Sequence, residues 1–91
     1  MLFHFESADQ LNTLKVELIK TDLEVALTFA QIASQTNDRE KAIRNQQNAR
    51  KAYDTVVRYA ASAMLTHFER ERIATKLKLL KSALLSLGEP F

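Results

Sequence analysis

The sequence predicts an all-α fold, an antiparallel three-helix bundle running up, down and up. Three observations carry that expectation. The single glycine and single proline both fall in the last four residues, so sheet turns and bulges have almost nothing to be built from. Ala, Leu, Lys, Arg, Glu and Gln, the strong helix formers, are prominent in the rest. Apolar residues recur at steps of three and four along three long segments. Ninety-one residues make one domain, whose core must be laid out along long elements.

Start signals divide the chain. Ser7 with Gln10, Asn37 with Glu40, and Thr66 with Glu69 each fit the capping box, in which a short side chain accepts from an early amide and the later side chain reaches back. Helices are therefore expected at about 8–35, 38–64 and 67–87, with residues 1–6 and 88–91 as tails. The third is expected to stop at Leu87, because Gly88 accepts a left-handed conformation and Pro90 forbids continuation. Links this short force consecutive helices to reverse direction.

Each helix predicts its own packing face. The third carries a narrow seam, Ile73, Leu77, Leu80, Leu84 and Leu87. The second carries Ala42, Ala49, Tyr53, Val56, Ala60 and Met64, with Ala52, Ala61 and Ala63 at its shoulders, and small side chains permit a close approach. The first carries two stripes: Leu11, Leu14, Leu18, Val25, Phe29 and Ile32, and beside them Val16, Ile19, Leu23, Ala26, Leu27 and Ala30. A helix with two apolar sides needs two neighbours, so the first is expected between the other two. Lys15 and Asp22 fall between its stripes. They are expected to reach solvent or to meet charges such as Arg39 or Arg50.

Composition bounds the function. No cysteine is present, which removes disulfide scaffolds and thiolate metal sites. The net charge of +2 is too small to announce a polyanion partner, although it is unevenly spread: two lysines against five carboxylates in the first 36 residues, eleven Lys and Arg against six carboxylates thereafter. The richest apolar run, Leu18 to Ala33, is broken by Lys20, Asp22 and Glu24 and is no membrane span. The opening MLFHF lacks the flank and cleavage site of a leader, and a cytoplasmic protein is expected.

The stretch IRNQQNARKAYDTVVRYA places Arg44, Lys51 and Arg58 seven residues apart, opposite the Ala/Tyr/Val stripe. A solvated face or an acidic protein partner accounts for them. A nucleic-acid reading is the alternative, since Arg pairs with guanine, Asn or Gln with adenine, and Lys with phosphate. Glu40 and Asp54 border the same face, and the helices flanking the preceding turn are too long for a helix-turn-helix. His4 and His67 have no helix-spaced ligand partner except Glu71, four residues after His67, so no metal site is expected. Glu17, Asp22 and Glu24 are not spaced as a carboxylate pair, and no Ser or Thr has a neighbouring base. No enzyme, and no cofactor, is expected.

Phe68 and Leu79 sit beside Arg72 and Thr75 on the flank of the third helix, away from its seam, with Leu85 on the other flank. One reading has Phe68 covering the turn before the third helix, with the tail residues Phe3, Phe5 and Phe91 folded over the bundle ends. The other makes Phe68, Arg72 and Leu79 a dimer or partner surface. Tyr53 is expected in the core and Tyr59 at its boundary.

NARKAYDTVVRYA, the turn at Leu65 and Thr66, and ERERIATKLKLLKSALLSLGE together resemble a group of short bacterial all-helical proteins of unassigned activity, over roughly residues 23–89. That resemblance implies a bacterial protein and carries over no catalytic residue. Ala49, Tyr53 and Val56 also resemble one half of a tetratricopeptide hairpin, without its first-helix glycine or ~34-residue period. The function expected is a protein-interaction or structural module, binding another protein or itself.

Overall fold

The structure, a computed structural model, describes residues 8–91. They form α1 (Ala8–Gln35), α2 (Arg39–Ser62) and α3 (His67–Ser86), all-α as expected. The Ser7 capping box and the folding back of Phe3 and Phe5 lie outside the described residues.

Caps and turns satisfy backbone groups left over at the described helix ends. Between α1 and α2 the cap is Asp38, whose carboxylate accepts the Lys41 N–H at 3.2 Å, while its own N–H donates to Thr36 Oγ1 at 3.1 Å. The expected Asn37/Glu40 box is thus replaced by a cap one residue later. A carboxylate also complements the positive helix start better than an amide does. Before α3 the capping box forms in full: Glu69 N–H donates to Thr66 Oγ1 at 3.1 Å, and Thr66 N–H to Glu69 Oε1 at 3.0 Å.

The Thr66 N–H bond holds the Glu69 carboxyl below its ordinary value. A lowered folded value means stability present at neutral pH and lost as pH falls past the ordinary carboxylate range and through the folded value. Thr66→Ala is expected to cost about 1 kcal/mol at neutral pH. Glu69→Gln is expected to matter less at pH 3 than at pH 7. Urea melts at both pH values check this, and equal effects at the two would remove the ionised box from the account.

At the far end of α3, Gly88 adopts φ 92°, where a side chain would be strained. The Gly88 N–H donates to Leu85 O and the Glu89 N–H to Leu84 O, both at 3.0 Å, closing a Schellman motif. The chain then turns back onto α2. Glu89 accepts from Gln46 Nε2 at 2.7 Å and pairs with Arg50 at 3.4 Å, and Arg50 also donates to Pro90 O. The Phe91 ring stands edge-on to Tyr53 at 5.1 Å, under the Arg50 guanidinium at 4.0 Å and Lys81 at 5.1 Å.

The core runs along α1. Ile19, Leu23, Val56, Leu80 and Leu84 are fully buried, with Ala26, Ala30, Ala49 and Ile73 among them. Asn12 and Lys15, early in α1, bond to Met64 and Ser62 at the end of α2, so these helices are antiparallel. Glu24 pairs with Lys76 on α3, which runs parallel to α1. The contact is broadest between α1 and α2, smaller between α1 and α3, and least between α2 and α3. The returning residues 89–91 therefore supply much of what ties α3 to α2.

Two expectations are corrected. Only one stripe of α1 is enclosed: Leu11, Leu14, Leu18 and Val25 remain 42–50% exposed, because α2 and α3 both lie against the side bearing Val16, Ile19, Leu23 and Ala30. Met64 is 76% exposed, since α2 ends at Ser62 and the extended Ala63 takes Met64 out of helical register. Lys15 and Asp22, expected to reach solvent or to meet charges, both remain partly exposed: Lys15 donates to Ser62 Oγ at 3.2 Å, and Asp22 is in no ion pair with another described residue. Asn45, a residue without an expected role, is buried with its amide donating to Lys41 O at 2.8 Å.

Candidate functional site

Positions 68, 72, 75 and 79 fall on one face of α3 at helical spacing. The structure brings Phe68, Arg72 and Leu79 together there as a surface. Phe68 is 67% and Leu79 59% exposed, so Phe68 does not cover the turn before α3. The Arg72 guanidinium lies 5.6 Å from the Phe68 ring centroid. Between Phe68 and Leu79 runs a shallow apolar groove of about 330 Å³, with Thr75 and Lys76 in its wall.

On the other side of Phe68, a cleft of about 480 Å³ opens between α1 and α3. Leu23 and Ile73 form its floor, and Lys20, Glu24, Glu69 and Lys76 its rim. Phe68 and Arg72 stand between the cleft and the groove and line both. The hydrogen bond from Lys76, then its charge, hold the Glu24 carboxyl below its ordinary value, with Arg72 adding to the effect. Glu69 is held down by the Thr66 N–H. Both carboxylates stay ionised near neutrality and have no proton to give. The rim suits recognition of a charged or polar group better than general-acid chemistry.

Arg44, Lys51 and Arg58 are exposed on α2, as their spacing predicts, and none forms an ion pair with another described residue. Arg58 lies 5.9 Å from the Tyr59 ring. None of the three lines the cleft or the groove of α3, so the two candidate surfaces are separate. Asp54 pairs with Arg50 at 3.2 Å. His67 faces Glu71 at 3.8 Å, and among the described residues no group of three His, Cys, Asp or Glu converges.

Sequence reasoning missed a third surface, the open row Leu11, Leu14, Leu18 and Val25 of α1. Its signal was present as an apolar stripe at steps of three, four and seven. It was assigned to packing because nothing in spacing alone says which stripe a neighbour covers. Comparison with known proteins finds no matching family model, curated protein or solved structure. No described helix is long and apolar enough to cross a membrane.

Proposed function

We propose that the chain is a non-enzymatic interaction module of the cytoplasm that docks another protein, or a second copy of itself, through the α3 flank. The observation that carries this reading is the exposure of Phe68 and Leu79 on either side of an apolar groove, with the Arg72 cation beside them. An aromatic ring in water with a guanidinium against it is the usual composition of an interface anchor. The neighbouring cleft supports the same reading, since its carboxylates are committed to Lys76 and Thr66.

Sedimentation equilibrium of the wild type and of a Phe68→Ser/Leu79→Ser variant, with affinity capture by both, tests it. Self-association or retention of a purified partner is expected to weaken at least about tenfold in the variant, the size of a lost anchor of ~1.4 kcal/mol or more. Association that ignores both substitutions, or none at all, would end the proposal.

Arg44, Lys51 and Arg58, exposed and in no ion pair with another described residue, favour nucleic-acid binding as the second reading. Titration with duplex and single strands at several salt concentrations separates the two. Saturable binding that falls on Arg44→Ala or Lys51→Ala would put nucleic acid in place of protein; none is expected.

A further inference from the structure

The open row on α1 has a definite setting. Leu11, Leu14, Leu18 and Val25 continue into half-buried Phe29 and Ile32, at steps of three, four and seven, the spacing of a coiled-coil seam with no helix on it. Asn12 bonded to Met64 and Lys15 bonded to Ser62 fix the register of α1 against α2. Carried along both helices, that register sets Leu18 level with Arg58, Val25 with Lys51, and Ile32 with Arg44. Each row advances by seven residues, about 10.5 Å per step. At 100° per residue, the edge of α2 adjoining this row also carries Asn48 and Thr55. The one carboxylate of α2 after Glu40 is Asp54, which borders the same face and pairs with Arg50.

Arg44, Lys51 and Arg58 stand further round from that edge, on the outer face of α2, and form no ion pair with a described residue, while half-buried Asp22 lies on α1 between the row and α2. We propose that the open row takes an amphipathic helix of another protein, one whose apolar stripe is bordered by Asp or Glu at heptad spacing. The proposal rests on the reading of the chain as an interaction module and adds a second surface with a partner of stated chemistry. An antiparallel second copy fits poorly, because a two-fold axis normal to the helices lays the basic sides of the two α2 helices next to each other, like charge against like; a parallel pair is what the dimer measurement below would detect. A phosphate backbone has no use for the floor of Leu and Val.

The probe is a synthetic helical peptide of about three heptads with Leu at the two seam positions and Glu beside them, against a counterpart with Lys in place of every Glu. Both are titrated into the full chain and followed by amide chemical shifts. The Glu peptide is expected to saturate, to shift Leu11 to Val25 and Arg44 to Arg58, and to bind at least about tenfold tighter than the Lys peptide. Lys51→Glu/Arg58→Glu, on the exposed face of α2, is expected to reverse that preference.

No saturable binding, equal binding of the two peptides, or shifts confined to α3 would each overturn the proposal. A dimer that is lost on Leu18→Lys would overturn it too, by assigning the row to self-association. Phe68→Ser is expected to leave the Glu peptide's affinity unchanged, so failure here and failure at the α3 flank are read separately.

Discussion

Leu80→Ala is expected to lower the unfolding free energy by about 2–5 kcal/mol, the range for truncating a fully buried leucine. Leu80 is 0% exposed and belongs to the cluster of Ile19, Leu23, Ile73 and Leu84. α3 contributes only a narrow seam to that cluster. Of its apolar residues only Ile73, Leu80 and Leu84 are buried, while Phe68, Leu79 and Leu85 face water. Because α3 touches α2 little, no second layer is available to close over the gap. Domains of this size hold roughly 5–15 kcal/mol in all, so one truncation removes a large share. At about 4–8 °C per kcal/mol, the melting temperature should fall by about 8 °C or more. Circular dichroism melts check this; a fall of only a few degrees would mean that the residue 89–91 return, rather than the seam, holds α3 in place.

Ala49→Leu is the second large effect, with the opposite cause. Ala49 is 0% exposed, and the register of α1 on α2 sets it against Ala26 and Ala30, both buried. A seam of alanines lets two backbones approach closely, and three added carbons have nowhere to go but between them. Overpacking of this kind costs about 1–3 kcal/mol and here falls on the broadest contact in the molecule. Ala61→Leu, on the exposed side of the same helix, serves as the control and is expected to stay within about 0.5 kcal/mol of wild type. Equal melts for the two variants would show that α1 and α2 have room to spare.

The alanines were legible in the sequence because a helix interior with Ala42, Ala49, Ala52 and Ala60 on one side has no other use for them. So were the end of α3, where Gly88 and Pro90 act locally, and the Thr66/Glu69 box, whose two halves lie three residues apart. What was not legible depended on competition. Asn37 and Asp38 both cap helices well, and the choice fell to Asp38 once Thr36 took its N–H. Both stripes of α1 are apolar throughout, and the one left open is the richer in large side chains. Which one a neighbour covers depends on the angle at which α3 arrives, a property of all three helices at once. The grouping of Phe68, Arg72 and Leu79 followed from helical spacing alone. The alignment of Leu18, Val25 and Ile32 with Arg58, Lys51 and Arg44 needed the Asn12–Met64 register, a contact across 52 positions.

That contact has a mechanical consequence. The Asn12 amide donates to Met64 O at 2.8 Å and accepts from Met64 N–H at 2.6 Å, so one side chain satisfies both main-chain groups of a residue stranded between helices. The first hairpin is therefore bolted at its mouth as well as joined at its bend. Peeling back the opening turns of α1 unlatches the link into α3 in the same event, and passes both backbone groups of exposed Met64 from Asn12 to water. The beginning of the first rod and the joint between the other two fray as one unit or stay shut together.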